Sequence, residues 1–281
     1  MGYAQLVIGP AGSGKSTYCS SLYQHCTAVG RRIDIVNLDP AAENFDYPVS
    51  VDIRELVNLD EVMEDFNLGP NGGLICCMEF LEENLDDWLA EELESFMDDD
   101  YLVFDCPGQI ELFSHVPVLK NFVDHLKRKN FNVCAVYLLD SQFITDITKF
   151  ISGCMACLSA MVQLELPHIN ILSKMDLVTN KKKLEDYLNP EPQVLLSELN
   201  QHMAPQFEKL NRALIELNPF VRSCRFNCFN RESRGLNLDH VMVHDGLPLE
   251  DVGIGGNYAP FQIFYKFFRS YLIFFLTRFK I

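Results

Sequence analysis

Positive charge is scarce in this chain. Its 23 Lys and Arg face 39 Asp and Glu, giving a formal net charge of −16 over 281 residues. Binding nucleic acid directly needs clustered Lys and Arg, so the balance argues against that partner. The N-terminus, MGYAQLVIGPAG, lacks a basic stretch followed by a long apolar one, and no export signal is expected from it. Without export, the 10 cysteines are expected to stay reduced. Cys154/Cys157 and Cys224/Cys228 have weak metal-ligand spacing, and the first pair lies in the apolar stretch FISGCMACLSAM. Core packing is the better reading of that pair than zinc. In the Phe-rich segment 261–281 the longest charge-free apolar run is 271–276, far short of the ~20 residues that span a bilayer. Lys266, Arg269, Arg278 and Lys280 interrupt it, and no membrane partner is expected.

What is present is an alternation of short β-branched runs with longer helical stretches, the mark of parallel α/β units. Strands are predicted over 3–8, 33–37, 101–105, 132–139 and 168–172. Helices are predicted over 15–29, 51–67, 81–97, 116–129 and 145–164. Gly69-Pro70 is read as the stop after the second helix, and Asn189-Pro190 and Pro192 as breaks between two later ones.

Residues 9–17 read Gly-Pro-Ala-Gly-Ser-Gly-Lys-Ser-Thr, matching G-x-x-x-x-G-K-[ST] between a predicted strand and helix. Such a loop wraps phosphates with backbone N–H groups, here from Gly12, Ser13, Gly14, Lys15, Ser16 and Thr17, at a helix N-terminus that favours anions. Lys15 should reach the β- and γ-phosphates, and the Ser16 hydroxyl should ligate Mg²⁺. Asp105 ends the apolar run YLVFD and opens Asp-Cys-Pro-Gly-Gln, where a second Mg²⁺-holding group belongs. Gly108 allows a turn, and Gln109 and Glu111 are placed to orient an attacking water or take its proton.

Kinases, ATPases and GTPases all remain open on the phosphate loop alone. Ser173-Lys174-Met175-Asp176 follows a predicted strand and is similar to the N-K-x-D element of GTPases, in which the Asp reads guanine. Adenine would leave that carboxylate unpaired, a difference worth roughly 10⁴-fold in such sites. Lys174 would pack along the base. Ser173 stands where Asn is usual, and its shorter hydroxyl is expected to hold the phosphate loop instead.

Gly69-Pro70-Asn71, Asn37-Leu38-Asp39-Pro40-Ala41 and the Asp-x-Pro-Gly-Gln-x-Glu run together resemble the GPN-loop GTPases. Stretches 9–17, 36–43, 69–73, 101–112 and 140–161 are most similar to type-3 members, in a form like that of plants. The resemblance covers roughly residues 1–217. It implies a P-loop NTPase of α/β class, a mostly parallel sheet flanked by helices, with a GPN-loop insertion, GTP as substrate and Mg²⁺ as cofactor. It further implies a dimer, as a homodimer or with a type-1 relative, in which Gly69, Pro70 and Asn71 of one subunit reach the partner's γ-phosphate. Asp39 would lie near Mg²⁺ and the attacking water. Members of this type help RNA polymerase II assemble and enter the nucleus, implying polymerase subunits as clients and a cytoplasmic location with nuclear shuttling.

Past residue 217 the pattern changes. Residues 1–217 carry 15 Lys and Arg against 34 Asp and Glu, whereas 218–281 carry 8 against 5. Segment 218–281 reads as an irregular, poorly packing tail without the further strand and base-covering loop of the family. Weakened guanine binding is the expected result. Two other readings stand beside a working GTPase. One is a nucleotide-binding assembly scaffold with negligible hydrolysis. The other is a small-molecule kinase, which would need an Arg-bearing lid where only Arg54 is available.

Overall fold

The structure, a computed structural model, describes residues 2–94, 96, 100–114, 116–178, 191–216 and 226–228, the last three by backbone alone. The chain divides into two units, Met1–Leu236 and Asn237–Ile281, and the described residues all belong to the first.

Seven strands form one sheet, and every pairing is parallel. They are β1 (Tyr3–Ile8), β2 (Asp34–Asn37), β3 (Val51–Asp52), β4 (Tyr101–Asp105), β5 (Asn132–Asp140), β6 (His168–Ser173) and β7 (Phe226–Cys228), in the order β3-β2-β4-β1-β5-β6-β7. The helices are α1 (Lys15–Ala28), α2 (Leu59–Asp65), α3 (Pro70–Glu83), α4 (Leu85–Leu93), α5 (Ile110–Ser114), α6 (Val118–Arg128), α7 (Ile147–Leu164), α8 (Pro192–His202) and α9 (Glu208–Glu216). Parallel strands covered on both faces read as continuous apolar runs, as in β5, NVCAVYLLD, buried from Val133 to Leu139. Phe104 of β4 meets Phe122 of α6 edge-on, with ring centroids 5.1 Å apart. Such crossings fix helix against sheet.

Five expectations need correction. The helix expected over 81–97 is instead the end of α3 and then α4, parted at Asn84. Residues 51–67 do not form one helix. Asp52 pairs beside β2 and its side chain accepts from Arg54 N–H, so the chain makes β3 and a 3-10 turn. Helix α2 starts only where Asn58 caps it, accepting from the N–H groups of Asp60 and Glu61. Gly69-Pro70 is a start rather than a stop. Pro70 occupies the first helical position of α3, where its missing N–H costs nothing. Pro192 opens α8 in the same way. Finally, β7 extends the sheet beyond residue 217, beside β6, with Ile171 opposite Asn227. A three-residue strand without β-branched residues carries no pattern that marks it in advance. The remaining part of the expected tail, and the region around Asn189-Pro190, lie outside the described residues.

Helix α7 is the single helix among the described residues that is long and apolar enough to cross a membrane. Ten of its residues are buried, Cys154 and Cys157 among them, and they join the core beneath β5 and β6. The Cys157 thiol bonds Asn170 Oδ1 at 3.1 Å, which places both cysteines in packing as expected.

His168 starts β6. Burial pushes its pKa down to about 4, against a hydrogen bond from its Nδ1 to the Leu166 carbonyl. The unfolded chain takes up this proton near pH 6.5 while the folded chain does not. Stability from this group is therefore complete above pH 6.5 and lost as pH falls toward 4. His168→Gln should remove about 1–3 kcal/mol of that acid sensitivity, read from denaturant unfolding at pH 7 and pH 4.5.

Candidate functional site

The parallel register brings the functional segments to one edge. Val7 of β1 lies opposite Asp105 of β4, Asn37 of β2 opposite the same Asp105, and Asp140 of β5 opposite Ser173 of β6. Each strand then releases its loop at its carboxyl end, beside the central β1, where open α/β sheets bind ligands.

The loop after β1 turns sharply at Gly9, with φ of 143°. A Cβ there would stand 2.3 Å from the Leu138 carbonyl oxygen, so glycine is required for the loop to lie against β5. Gly14 caps α1. Lys15 is 8 % exposed, and its Nζ donates to the carbonyls of Gly9 and Pro10 at 3.3 and 3.4 Å. Burial lowers its pKa, opposed by the nearby carboxylates of Asp105 and Asp39. These long bonds to neutral carbonyls can be exchanged for charge-assisted bonds to phosphate oxygens. Ser13 is buried, Thr17 half-buried, and Gly12 and Ser16 exposed.

Asp105 is 2 % exposed. Burial raises its pKa, and hydrogen bonding by the Tyr47 and Ser16 hydroxyls, together with Lys15, pulls it back. Tyr47 donates to Asp105 Oδ2 at 2.6 Å. Burial and the neighbouring carboxylate push the Tyr47 hydroxyl far up, so it remains a donor. Asp105 Oδ1 is buried with no well-formed hydrogen bond. Asp39 is likewise raised by burial, against the Ala41 N–H it accepts at 2.9 Å and the pull of Lys15.

This donor set fits Mg²⁺. The ion takes one or two carboxylates and completes its shell with water and phosphate oxygens. The orphaned Asp105 oxygen, the Ser16 hydroxyl and Asp39 are the residues that would hold it.

Gly108 presses on the phosphate loop. A Cβ there would lie 2.7 Å from Ala11 Cα and 2.9 Å from Lys15 Nζ. Next to it, Gln109 Nε2 donates to Asn71 Oδ1 at 2.9 Å, which joins the first turn of α3 to this strand end. Glu111 is exposed on α5, apart from this contact.

On the other side, the Ser173 hydroxyl donates to the Ser13 carbonyl at 2.6 Å, with Leu139 O at 3.3 Å. Serine thus ties β6 to the phosphate loop, as expected. Lys174 has left-handed backbone, φ 55°, and its Nζ pairs with Asp140 Oδ2 at 2.7 Å. Asp176 follows, exposed, in a 3-10 turn.

Some participants take roles that the sequence did not assign to them. Asn37 Nδ2 donates to Asp39 O and Asp52 Oδ1, and Arg54 forks onto Asp52. Arg54 also donates to Ala42 O and covers the Phe45 ring at 4.8 Å, and Phe45 in turn stands 5.3 Å from Tyr47. Arg54 is thereby a brace for the loop that carries Asp39, not part of a lid over phosphates. The Asn-x-Asp spacing of 37–39 is the one cue that a sequence offers, since Asn commonly bonds backbone two residues on.

A buried lysine in a glycine loop, an acidic strand tip beside it and a tied base-side turn define a P-loop nucleotide-binding protein. A family model described as "conserved hypothetical ATP binding protein" matches residues 7–241. GPN-loop GTPase 3 of Dictyostelium discoideum is 50 % identical, with 85 % of each chain covered. That of Danio rerio is 51 % identical over 86 % of each chain, and that of Saccharomyces cerevisiae 54 % over 75 % of this chain and 79 % of its own. The chain belongs to the GPN-loop GTPase family, among its type-3 members. A GTPase from Pyrococcus abyssi shares the fold at 22 % identity, with a TM-score of 0.69 over 83 % of this chain and 92 % of its own. The family match continues past residue 217, in keeping with β7.

Gly108→Ala should cost about 1–3 kcal/mol through overpacking against Ala11 and weaken nucleotide binding. Thermal unfolding and fluorescent-nucleotide titration together check both effects.

Proposed function

We propose that the chain is a Mg²⁺-dependent GTPase working as a dimer. The observation that carries the reading is the Ser173 bond to the phosphate loop, since it joins an acidic base-side turn to a phosphate cradle. Asp176 in that turn suits guanine, whose ring N–H and amino group are both donors. Adenine cannot offer that pair. The relatives named GPN-loop GTPase 3 support the same substrate, whereas the family model's description mentions ATP.

Phosphate binding falls to Lys15 and the backbone N–H groups of residues 12–17. Mg²⁺, when bound, neutralises charge growing on the β- and γ-oxygens. Gln109 would align the attacking water, Asp39 would lie near Mg²⁺ and that water, and Glu111 is placed to take its proton. Oriented amides, including Asn71 from across a dimer interface, stabilise transition-state charge in place of an arginine. Exposed Phe66, Leu68 and Ile110 flank Asn71 and Gln109 and support a protein contact on that face. The partner is a second copy or a type-1 relative. Resemblance to the family supports RNA polymerase II subunits as clients, with assembly in the cytoplasm followed by nuclear entry.

Direct competition between fluorescent GTP and ATP analogues with Mg²⁺ tests the base. GTP should win by at least about 100-fold, on the desolvation cost of an unpaired Asp176. Equal binding would sink the guanine reading. Asn71→Ala should slow multiple-turnover phosphate release about 10²-fold, as loss of a transition-state donor does, with GTP affinity within about three-fold. Equal losses of affinity and rate would argue against action across the interface. An unsubstituted protein that binds GTP but releases no phosphate with a type-1 partner present would instead be an assembly scaffold.

A further inference from the structure

Tyr47 lies in the loop between β2 and β3, 58 residues from the carboxylate it bonds. Its hydroxyl is committed to Asp105 Oδ2 at 2.6 Å, and the ring is 7 % exposed. The other carboxylate oxygen, Oδ1, is buried and without a well-formed partner. One oxygen is thus fixed by a neutral donor, and the other has no well-formed bond, with the Ser16 hydroxyl the remaining donor near this carboxylate. Tyr47 itself is held from behind. Phe45 packs against its ring, Arg54 covers Phe45, and Arg54 is locked onto Asp52 and the Ala42 carbonyl. A side chain held this firmly fixes the carboxylate's orientation rather than following it.

We propose that Tyr47 is a positioning residue for the divalent cation, orienting Asp105 so that Oδ1 alone is presented to Mg²⁺. The inference rests on the nucleotide-dependent Mg²⁺ site described above. Hydrogen-bond partners of metal-holding carboxylates set both their direction and their basicity, and their loss commonly weakens metal binding 10- to 100-fold. The same bond also ties cation binding to the loop that carries Asp39. With the hydroxyl in place, seating of that loop and alignment of Asp105 are one event.

The test is Tyr47→Phe, which keeps the ring and its packing on Phe45 and removes only the hydroxyl. Titration with Mn²⁺, followed by electron paramagnetic resonance in saturating GDP, should show cation affinity weakened at least about 10-fold. GDP affinity in excess EDTA should stay within about two-fold of the unsubstituted protein, because the phosphate loop and base-side turn are untouched. This split separates positioning from a structural role, which would weaken both. Phe45→Leu supplies a second variant. It loosens the brace but keeps the hydroxyl, so its cation affinity should fall less than that of Tyr47→Phe. Unchanged Mn²⁺ affinity in Tyr47→Phe, or parallel loss of GDP binding in EDTA, would overturn the role of Tyr47 while leaving the nucleotide site standing. Absence of Mn²⁺ binding by the unsubstituted protein with GDP would overturn both.

Discussion

A cation held out of water organises this molecule. Lys15 is almost fully buried, and an isolated ammonium in that position would cost several kcal/mol. It is tolerated because two carbonyl oxygens accept from it and the charges of Asp105 and Asp39 nearby favour its protonated form, and these groups come from three different strand ends. Only the parallel pairing of β2, β4 and β1 in their observed register brings Asp39, Asp105 and the glycine loop together. The apolar core beneath the sheet therefore serves the polar site directly. It keeps the strand ends level, and level ends keep these groups around the lysine.

Around that cation, the site is carried on loops, yet the loops are braced. The segment from Asn37 to Arg54 is closed by side-chain bonds to its own backbone and by a cation over an aromatic ring. Charged groups held this way need little rearrangement when charge develops nearby, which is where enzymes draw much of their electrostatic advantage. Asn71 contrasts with them. It is exposed and its side chain accepts from Gln109, an amide it can exchange for another.

Much of this was legible from residue order. The glycine loop, Asp105 at a strand tip and Ser173 standing in for Asn each sat in a context that demands a particular backbone, and the backbone is as demanded. The failures share a cause as well. Proline before Asn71 reads as a stop, although the same missing N–H that ends a helix also suits its first turn. Residues 51–67 read as one helix, but Asp52 finds a partner in Asn37 across the sheet. Tyr47 was invisible. Its role depends on a carboxylate far away in sequence, and a tyrosine in an aperiodic loop announces nothing. The strand β7 was missed because pairing beside β6 decides it, not its own propensity.

The sheet's end at β3 has a consequence for how the protein behaves in a crowded solution. An open edge exposes unpaired N–H and C=O groups that invite another chain to add on, and long flat edges lead to aggregation. Here the edge strand has only two residues before the chain curls into a 3-10 turn, and the Asp52–Arg54 pair sits on it as a charged cover. A stray strand would find almost no ladder to extend. The pair that braces the Asp39 loop thus also blunts that edge against indiscriminate strand addition.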